Sequence, residues 1–158
     1  MPTKQIDPNV PSEHRKGISI YADGGCPDNG SATSMYGTFK LYLDGVNMPV
    51  TIGREKCLHP RFDWTEEPHN TSPMAECLTL LKVLDYVRDL AVTNVNKPLP
   101  IIAIYMDNKM TVGFANQTMN AKDPHMVKAR ARITSHPALP GVAVGWIAGE
   151  VMKRILGH

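Results

Sequence analysis

A chain of 158 residues with 42% hydrophobic and 20% charged residues has the size and composition of one globular domain, which excludes a disordered or fibrous protein. The formal net charge of +2 excludes nucleic-acid binding through bulk charge, so any such contact must come from a local basic patch. Three cysteines, Cys26, Cys57 and Cys77, form no CxxC pair and predict free thiols in a reducing compartment, which we take to be the cytoplasm. No apolar stretch is long enough to predict a membrane span.

The first half of the chain begins with a polar segment and continues with strand patterns. The segment contains three prolines and no apolar stretch of the kind that a signal peptide needs. We therefore predict a flexible leader over residues 1–16 and one folded domain over residues 17–158. Alternating and β-branched residues predict strands over residues 17–22, 35–43 and 48–53. An Asp-Gly pair at residues 44–45 predicts a hairpin turn between the second and third strands.

The second half alternates between helix and strand patterns. Residues 54–71 are polar and predict a loop, after which apolar residues at helical spacing predict a helix from Pro73 to about Leu90, capped by Thr71 or Ser72. The remaining predicted elements are a buried strand over 101–106, a short helix over 110–115, a basic helix over 124–134, a strand over 141–147 and a terminal helix within 148–158. This order predicts an α/β fold with a mixed five-stranded sheet and helices on both faces.

Three acidic residues lie where the predicted elements would expose their carboxylates. Asp23 ends the first strand, Asp107 ends the strand over 101–106, and Glu76 lies in the first turn of the long helix. Alone, each has an ordinary structural explanation as a turn residue, a helix cap or a favourable charge at a helix start. If the first and fourth strands are neighbours, all three carboxylates meet, repel one another and attract hard cations such as Mg²⁺. Two such ions about 4 Å apart can stabilise the attacking and leaving oxygens of a phosphodiester, which is the chemistry of a nuclease.

Four motifs resemble those of type 1 ribonucleases H, and they occur in the same order. They are residues 21–30 (YADGGCPDNG), similar to the family's Asp-Gly-Ser-Cys with a following Asn-Pro-Gly; 71–76 (TSPMAE), similar to Thr-Asn-Asn-x-x-Glu; 104–108 (IYMDN), similar to Tyr-x-Asp-Ser; and 144–147 (VGWI), similar to Val-x-Trp-Val. The resemblance covers residues 17 to about 149. It implies the ribonuclease H-like fold and metal-dependent hydrolysis of the RNA strand of RNA/DNA hybrids.

The resemblance also implies roles for individual residues. Asp23, Glu76 and Asp107 would be catalytic and would bind Mg²⁺ or Mn²⁺. The residues implied along the RNA strand are Gly24, Gly25, Cys26, Asn29, Thr71 and Asn108. The two glycines would present their backbone near a ribose 2′-hydroxyl, the group that distinguishes RNA from DNA. Where the family has two asparagines before the helix, this chain departs from the pattern with Ser72 and Pro73.

The family completes its metal site with a fourth residue, usually Asp, on the terminal helix. After Trp146 this chain has two candidates, Glu150 and His158. We assign the role to His158, since some relatives in the wider superfamily, such as certain junction resolvases, use a histidine as the last ligand. The alternatives are Glu150 and a site without a fourth ligand.

Two further questions stay open on the sequence alone. Basic residues near the helix over 124–134 either form a solvated surface or contact DNA phosphates, as a basic segment does in the family; they are Lys122, Lys128, Arg130 and Arg132. The fold could also be kept without turnover, as a module that binds nucleic acid or a protein partner. Proofreading-type exonucleases need Asp-x-Glu where this chain has Asp23 followed by two glycines, which counts against that class.

Overall fold

The computed structural model describes residues 5–27, 34–65, 71–93 and 98–157. The main sheet contains β1 (Ile18–Gly25), β2 (Met35–Leu43), β3 (Val46–Met48), β6 (Arg61–Trp64), β7 (Ile102–Met106) and β8 (Ala143–Trp146). A smaller sheet contains β4 (Val50–Ile52) and β5 (Glu55–Cys57). The helices are α1 (Ser72–Thr93), α2 (Lys109–Ala115), α3 (Pro124–Thr134) and α4 (Gly149–Leu156). Two predicted site residues, Asn29 and His158, lie outside the described residues.

The main sheet is mixed, which confirms the predicted fold class. Its strand order is β3-β2-β1-β7-β8, and β6 pairs with β2 as an additional strand. The strands β1, β2 and β3 pair antiparallel, whereas β1 pairs parallel with β7, and β7 with β8. Because β1 and β7 run in the same direction, their carboxyl ends meet at one edge of the sheet, where ligands bind in folds of this kind.

Helices cover both faces of the sheet, as predicted. On one face, α1 contributes Leu80 to a hydrophobic core that also contains Ile104 of β7. On the other face, Met152 and Ile155 of α4 form a second core with Tyr21 of β1. These two α4 residues are three positions apart, which is the spacing that places apolar side chains on one side of a helix.

The region between β2 and α1 differs from its prediction. The strand predicted over residues 48–53 is wrong in its bounds, because Pro49 has no backbone N–H and separates β3 from β4. The loop predicted over residues 54–71 is also wrong, because it contains β5 and β6. In β6 the half-buried Phe62 and Trp64 alternate with exposed polar residues, which is the period of a strand.

The segment that precedes β1 makes specific contacts with the sheet. Val10 is fully buried and belongs to the core between the sheet and α4. The Tyr42 hydroxyl donates a hydrogen bond to Asp7 Oδ2 over 2.9 Å. The ring of His14 stacks on that of Tyr105, with centroids 4.0 Å apart. These contacts attach residues 7, 10 and 14 to the folded domain, while the predicted domain boundary at residue 17 stays a prediction.

Two sequence-based expectations concern the surroundings of the chain. Cys26, Cys57 and Cys77 are thiols that form no disulfide, as predicted. Within the four described ranges, no helix combines the length and the apolar character that crossing a membrane requires. The cytoplasmic location stays a prediction.

Candidate metal centre

Two of the predicted metal ligands lie at neighbouring strand ends. Asp23 lies near the end of β1, and Asp107 directly follows β7. The parallel pairing runs from Ile18 opposite Ile102 to Tyr21 opposite Tyr105. Asp23 and Asp107 each lie two residues beyond the last pair of this register, so both carboxylates lie at the same edge of the sheet.

The third ligand, Glu76, reaches the site because α1 packs closely on β1. It is the fifth residue of α1 and so lies just beyond the first turn, in which it is predicted. The helix start is fixed by Thr71, whose Oγ1 accepts a hydrogen bond from the Met74 amide over 3.2 Å. A Cβ at Gly24 would lie 2.5 Å from the Ala75 carbonyl oxygen, so only glycine permits this contact of helix and strand. Because the helix and the strand are so close, the Glu76 side chain reaches the Asp23 carboxylate.

The three carboxylates form one cluster. One oxygen from each of Asp23, Glu76 and Asp107 lies within 4.8 Å of the other two. Glu76 is only 6% exposed, and its Oε2 has no hydrogen-bond partner. The Gly24 amide donates a hydrogen bond to the Glu76 carboxyl group, which also shares a hydrogen bond with the Asp23 carboxylate.

The electrostatics of the cluster favour a cation. Burial and, after it, the negative charge of Asp23 raise the pKa of Glu76 well above its ordinary value. The hydrogen bond to Asp23 and the charge of Asp107 act in the same direction, whereas the Gly24 amide opposes them. Glu76 is therefore protonated at neutral pH when no cation is bound. A divalent ion would give Oε2 a partner and remove the repulsion, so these residues fit such an ion.

The residues that we expect along the RNA strand have defined places around the cluster. Gly25 packs against Tyr36, since a Cβ at Gly25 would lie 2.7 Å from Tyr36 Cε1. Cys26 is 6% exposed and offers little surface. Asn108 caps α2, because its Oδ1 accepts a hydrogen bond from the Thr111 amide over 2.9 Å. Contacts of these residues with a nucleic acid stay predictions.

The helix α4 begins beside the carboxylates. A Cβ at Gly149 would lie 3.4 Å from Asp107 Oδ2, so the first turn of α4 adjoins the cluster. Glu150, the next residue, is exposed. Gly157 ends α4 in the left-handed conformation, about 12 Å from Gly149 at 1.5 Å per residue. His158 follows Gly157 outside the described residues, and its role as the fourth ligand stays a prediction.

Two basic side chains that lie over aromatic rings flank the cluster, and neither pair is predictable from the sequence motifs. Trp146, at the end of β8, is 46% exposed, and its Nε1 donates a hydrogen bond to the Asp107 carbonyl over 3.1 Å. Lys109 Nζ lies 4.8 Å from the centroid of the Trp146 rings. Beyond Asp23, the guanidinium carbon of Arg61 lies 4.6 Å from the Tyr36 centroid. The alternation of polar and apolar residues in β6 is the signal that could have located Arg61.

The basic residues near α3 differ in whether their side chains are exposed and available to bind phosphates. Lys122, Lys128 and Arg132 are exposed. Arg130 instead donates a hydrogen bond through Nε to the Met119 carbonyl over 2.9 Å. The exposed residues are therefore the ones that could contact phosphates.

The solved structures that resemble this chain include several ribonucleases H. LC11-RNase H1, isolated from compost by a metagenomic approach, has a TM-score of 0.63 and 18% identity over 88% of this chain and 89% of that chain. The same protein in complex with an RNA/DNA hybrid has a TM-score of 0.62 and 18% identity over 87% and 89%. RNase H1 from the halophilic archaeon Halobacterium salinarum NRC-1 has a TM-score of 0.58 and 17% identity over 87% and 89%. This chain therefore has the ribonuclease H-like fold that its sequence predicts.

No protein-family model and no curated protein sequence matches the chain. With identities of 17% and 18%, the likeness to the solved structures concerns the fold. The activity must therefore be inferred from the chain's own residues.

Proposed function

We propose that this protein is a metal-dependent endonuclease that cleaves the RNA strand of RNA/DNA hybrids. The observation that carries the proposal is the carboxylate cluster, in which Asp23, Glu76 and Asp107 come from three elements to within 4.8 Å. The buried Glu76 Oε2 has no hydrogen-bond partner, and a divalent cation would supply one. Burying carboxylates side by side lowers stability unless cations neutralise them, so the arrangement favours a functional role.

Asp23, Glu76 and Asp107 would hold Mg²⁺ or Mn²⁺, which both bind carboxylate oxygens. When bound, such ions activate water and stabilise charge on the phosphodiester oxygens. The protein's own contribution is the fixed position of the ligands. The Gly24 amide orients Glu76, and the Trp146 indole holds the backbone at Asp107.

The hybrid substrate is supported by the resemblance to type 1 ribonucleases H and by the similar structure solved with an RNA/DNA hybrid. The residues that we propose along the RNA strand are Gly24, Gly25, Cys26, Asn29, Thr71 and Asn108. A glycine backbone can approach a ribose closely because no side chain intervenes, which suits recognition of the 2′-hydroxyl. Since Asn108 Oδ1 caps α2, its Nδ2 would make the contact with substrate.

Two residues compete for the role of fourth ligand. His158 is the sequence-based proposal, and an imidazole there would favour Mn²⁺ over Mg²⁺, because nitrogen is a softer ligand. Glu150 gains support from the proximity of Gly149 to Asp107. Either residue would complete the site from the region of α4.

A second candidate function is binding without cleavage. Counting from the last-strand motif places the family's fourth residue near Leu156, which is 3% exposed and belongs to the core beside α4. A leucine there cannot bind an ion. The fold would then serve as a module that binds nucleic acid or a protein partner.

Cleavage of defined duplexes with Mg²⁺ or Mn²⁺ tests the function. We expect a labelled RNA strand paired with DNA to be cut, while a DNA duplex of the same sequence stays intact because it lacks 2′-hydroxyls. A DNA strand with an internal block of ribonucleotides should be cut only within that block. Equal cleavage of duplex DNA would contradict the proposed substrate. Binding of the hybrid without cleavage in either ion would favour the binding module.

A further inference from the structure

We propose that the cavity lined by Tyr36, His59 and Arg61 binds a backbone phosphate of the polynucleotide strand that lies over the carboxylate cluster. The cavity has a volume of about 420 Å³, and Pro27 and Thr38 complete its lining. The proposal rests on the proposed nuclease function. It adds a contact on β2 and β6, which the resemblance to type 1 ribonucleases H does not assign.

The strand register places this cavity beside the cluster. Asp23 of β1 lies opposite Thr38 of β2, which in turn lies opposite Arg61 of β6. Directly opposed residues of paired strands project to the same face of a sheet, so Arg61 shares the face of Asp23. Tyr36 lies two residues before Thr38 and therefore projects to this face as well.

The Tyr36 ring holds the Arg61 guanidinium in a defined position. It packs against Gly25, and the guanidinium of Arg61 lies 4.6 Å from its centroid. A guanidinium held by a ring loses less conformational freedom when it binds an anion than one on a mobile side chain. Burial and then the charge of Asp23 raise the pKa of Tyr36, which keeps its hydroxyl protonated close to the cluster.

The present partner of Arg61 can be displaced. Arg61 Nη2 lies 3.2 Å from Asp63 Oδ1, and the two side chains are 58% and 61% exposed. An ion pair this exposed contributes little to stability, whereas a phosphate can accept two parallel hydrogen bonds from a guanidinium. Thr38 is less available, because its hydroxyl donates to the Pro60 carbonyl over 2.8 Å.

On the opposite side of the cluster, a second positively charged side chain lies over an aromatic ring. Lys109 lies over Trp146, which is bonded to the Asp107 backbone. A strand that crosses Asp23 and Asp107 therefore meets positive charge on both sides of the carboxylates. Such flanking charge offsets the repulsion between carboxylates and the phosphates next to the scissile one.

Binding of a labelled RNA/DNA hybrid in EDTA, followed by fluorescence anisotropy over a range of salt concentrations, tests the proposal without cleavage. Arg61→Gln should lower the affinity several-fold and reduce the slope of log affinity against log salt by about 0.7–0.9, the contribution of one phosphate contact. Arg54→Gln is the matched control, since Arg54 is exposed beside the separate β4–β5 sheet and its loss changes the net charge equally. Equal effects of the two substitutions, or no binding by the wild type, would overturn the proposal.

A substitution with the opposite expected effect adds a second test. Asp63→Asn removes the competing carboxylate and should raise the affinity for the hybrid above that of Glu55→Gln, an exposed control on β5 with the same change in charge. A failure of Asp63→Asn to exceed that control would count against the phosphate site. If the wild type does not cleave but these differences in binding persist, the nuclease function fails while the phosphate site stands.

Discussion

Glu76 is buried beside two other carboxylates, and this position destabilises the metal-free protein when the group ionises. Burial raises its pKa above the value in an unfolded chain, with the charge of Asp23 as the next cause. When the pKa of a group is higher in the folded state than in the unfolded state, the folded state binds its proton more tightly. The resulting stabilisation is fully present below the unfolded-state pKa and is lost as the pH rises through the folded-state pKa. The metal-free protein should therefore become less stable as pH rises above about 5, and a bound cation should reverse the loss.

The substitution Glu76→Gln tests this electrostatic account. It should raise the melting temperature of the metal-free protein at about pH 8 by several degrees, since roughly 1 kcal/mol corresponds to 2–4 °C for a domain of this size. It should also flatten the fall in stability from about pH 5 to pH 8, because an amide does not ionise. Scanning calorimetry in EDTA measures both effects, with Glu55→Gln as an exposed control. A pH dependence equal to that of the wild type would show that Glu76 is not its source.

Single residues also show how much of the site the sequence could predict. Asp23 and Asp107 were found because each follows a strand pattern, and Glu76 because a helix pattern surrounds it. The packing role of Gly24 was not predictable, since it depends on a contact with Ala75 across two elements. The exposure of Trp146 likewise depends on the end of the sheet, which a strand pattern does not reveal.

At the scale of elements, α4 is held from both of its ends. Its first turn adjoins Asp107, while at its last turn Lys40 Nζ donates to the Ile155 carbonyl over 2.9 Å and Asn9 Nδ2 to the Arg154 carbonyl over 3.4 Å. These bonds satisfy carbonyls that a helix end leaves without partners. The two bonds join residues that are 115 and 145 positions apart in the chain, so a local sequence pattern could not reveal them.

The position of α4 predicts which residue completes the metal site. We expect Glu150→Gln to lower the rate of hybrid cleavage roughly tenfold to 100-fold, the usual cost of losing a group that supports a bound metal. If His158 is the fourth ligand, as the sequence-based assignment has it, its deletion should cost more than Glu150→Gln. Steady-state rates in Mg²⁺ and in Mn²⁺ measure both effects, with Glu55→Gln as a control. A larger loss on deletion of His158, together with a preference for Mn²⁺, would instead support the histidine.

The missed strand β6 has a physical explanation. It has four residues, and its alternating pattern is surrounded by polar and proline-containing sequence that is typical of a loop. Its pairing with β2 forms through contacts between residues far apart in the chain. The ring of Phe62 stacks on Phe39 at 6.1 Å, which is a tertiary contact and not a local propensity.

At the scale of the whole molecule, the mixed sheet was predictable because few arrangements connect this order of elements, whereas the pairing of β1 with β7 was a condition that the sequence left open. Hairpin-linked strands pair antiparallel, and a strand that follows a long helix returns parallel to the first. The parallel pairing of β1 with β7 brings Asp23 and Asp107 together, so the cluster follows from the topology. The surface around it was less predictable, because it depends on which side chains the completed sheet leaves exposed.

Cleavage of an RNA/DNA hybrid by the wild type and by Asp107→Asn is the most direct test of the central claim, that the three carboxylates form the metal centre of a nuclease. We expect the wild type to cut the RNA strand with Mg²⁺ or Mn²⁺ and to be inactive in EDTA. The substitution removes a charge but keeps the shape of the side chain, so the rate should fall about 100-fold or more while circular dichroism and the melting temperature show an intact fold. Cleavage that persists in EDTA, or a wild-type rate in the Asp107→Asn variant, would contradict the claim.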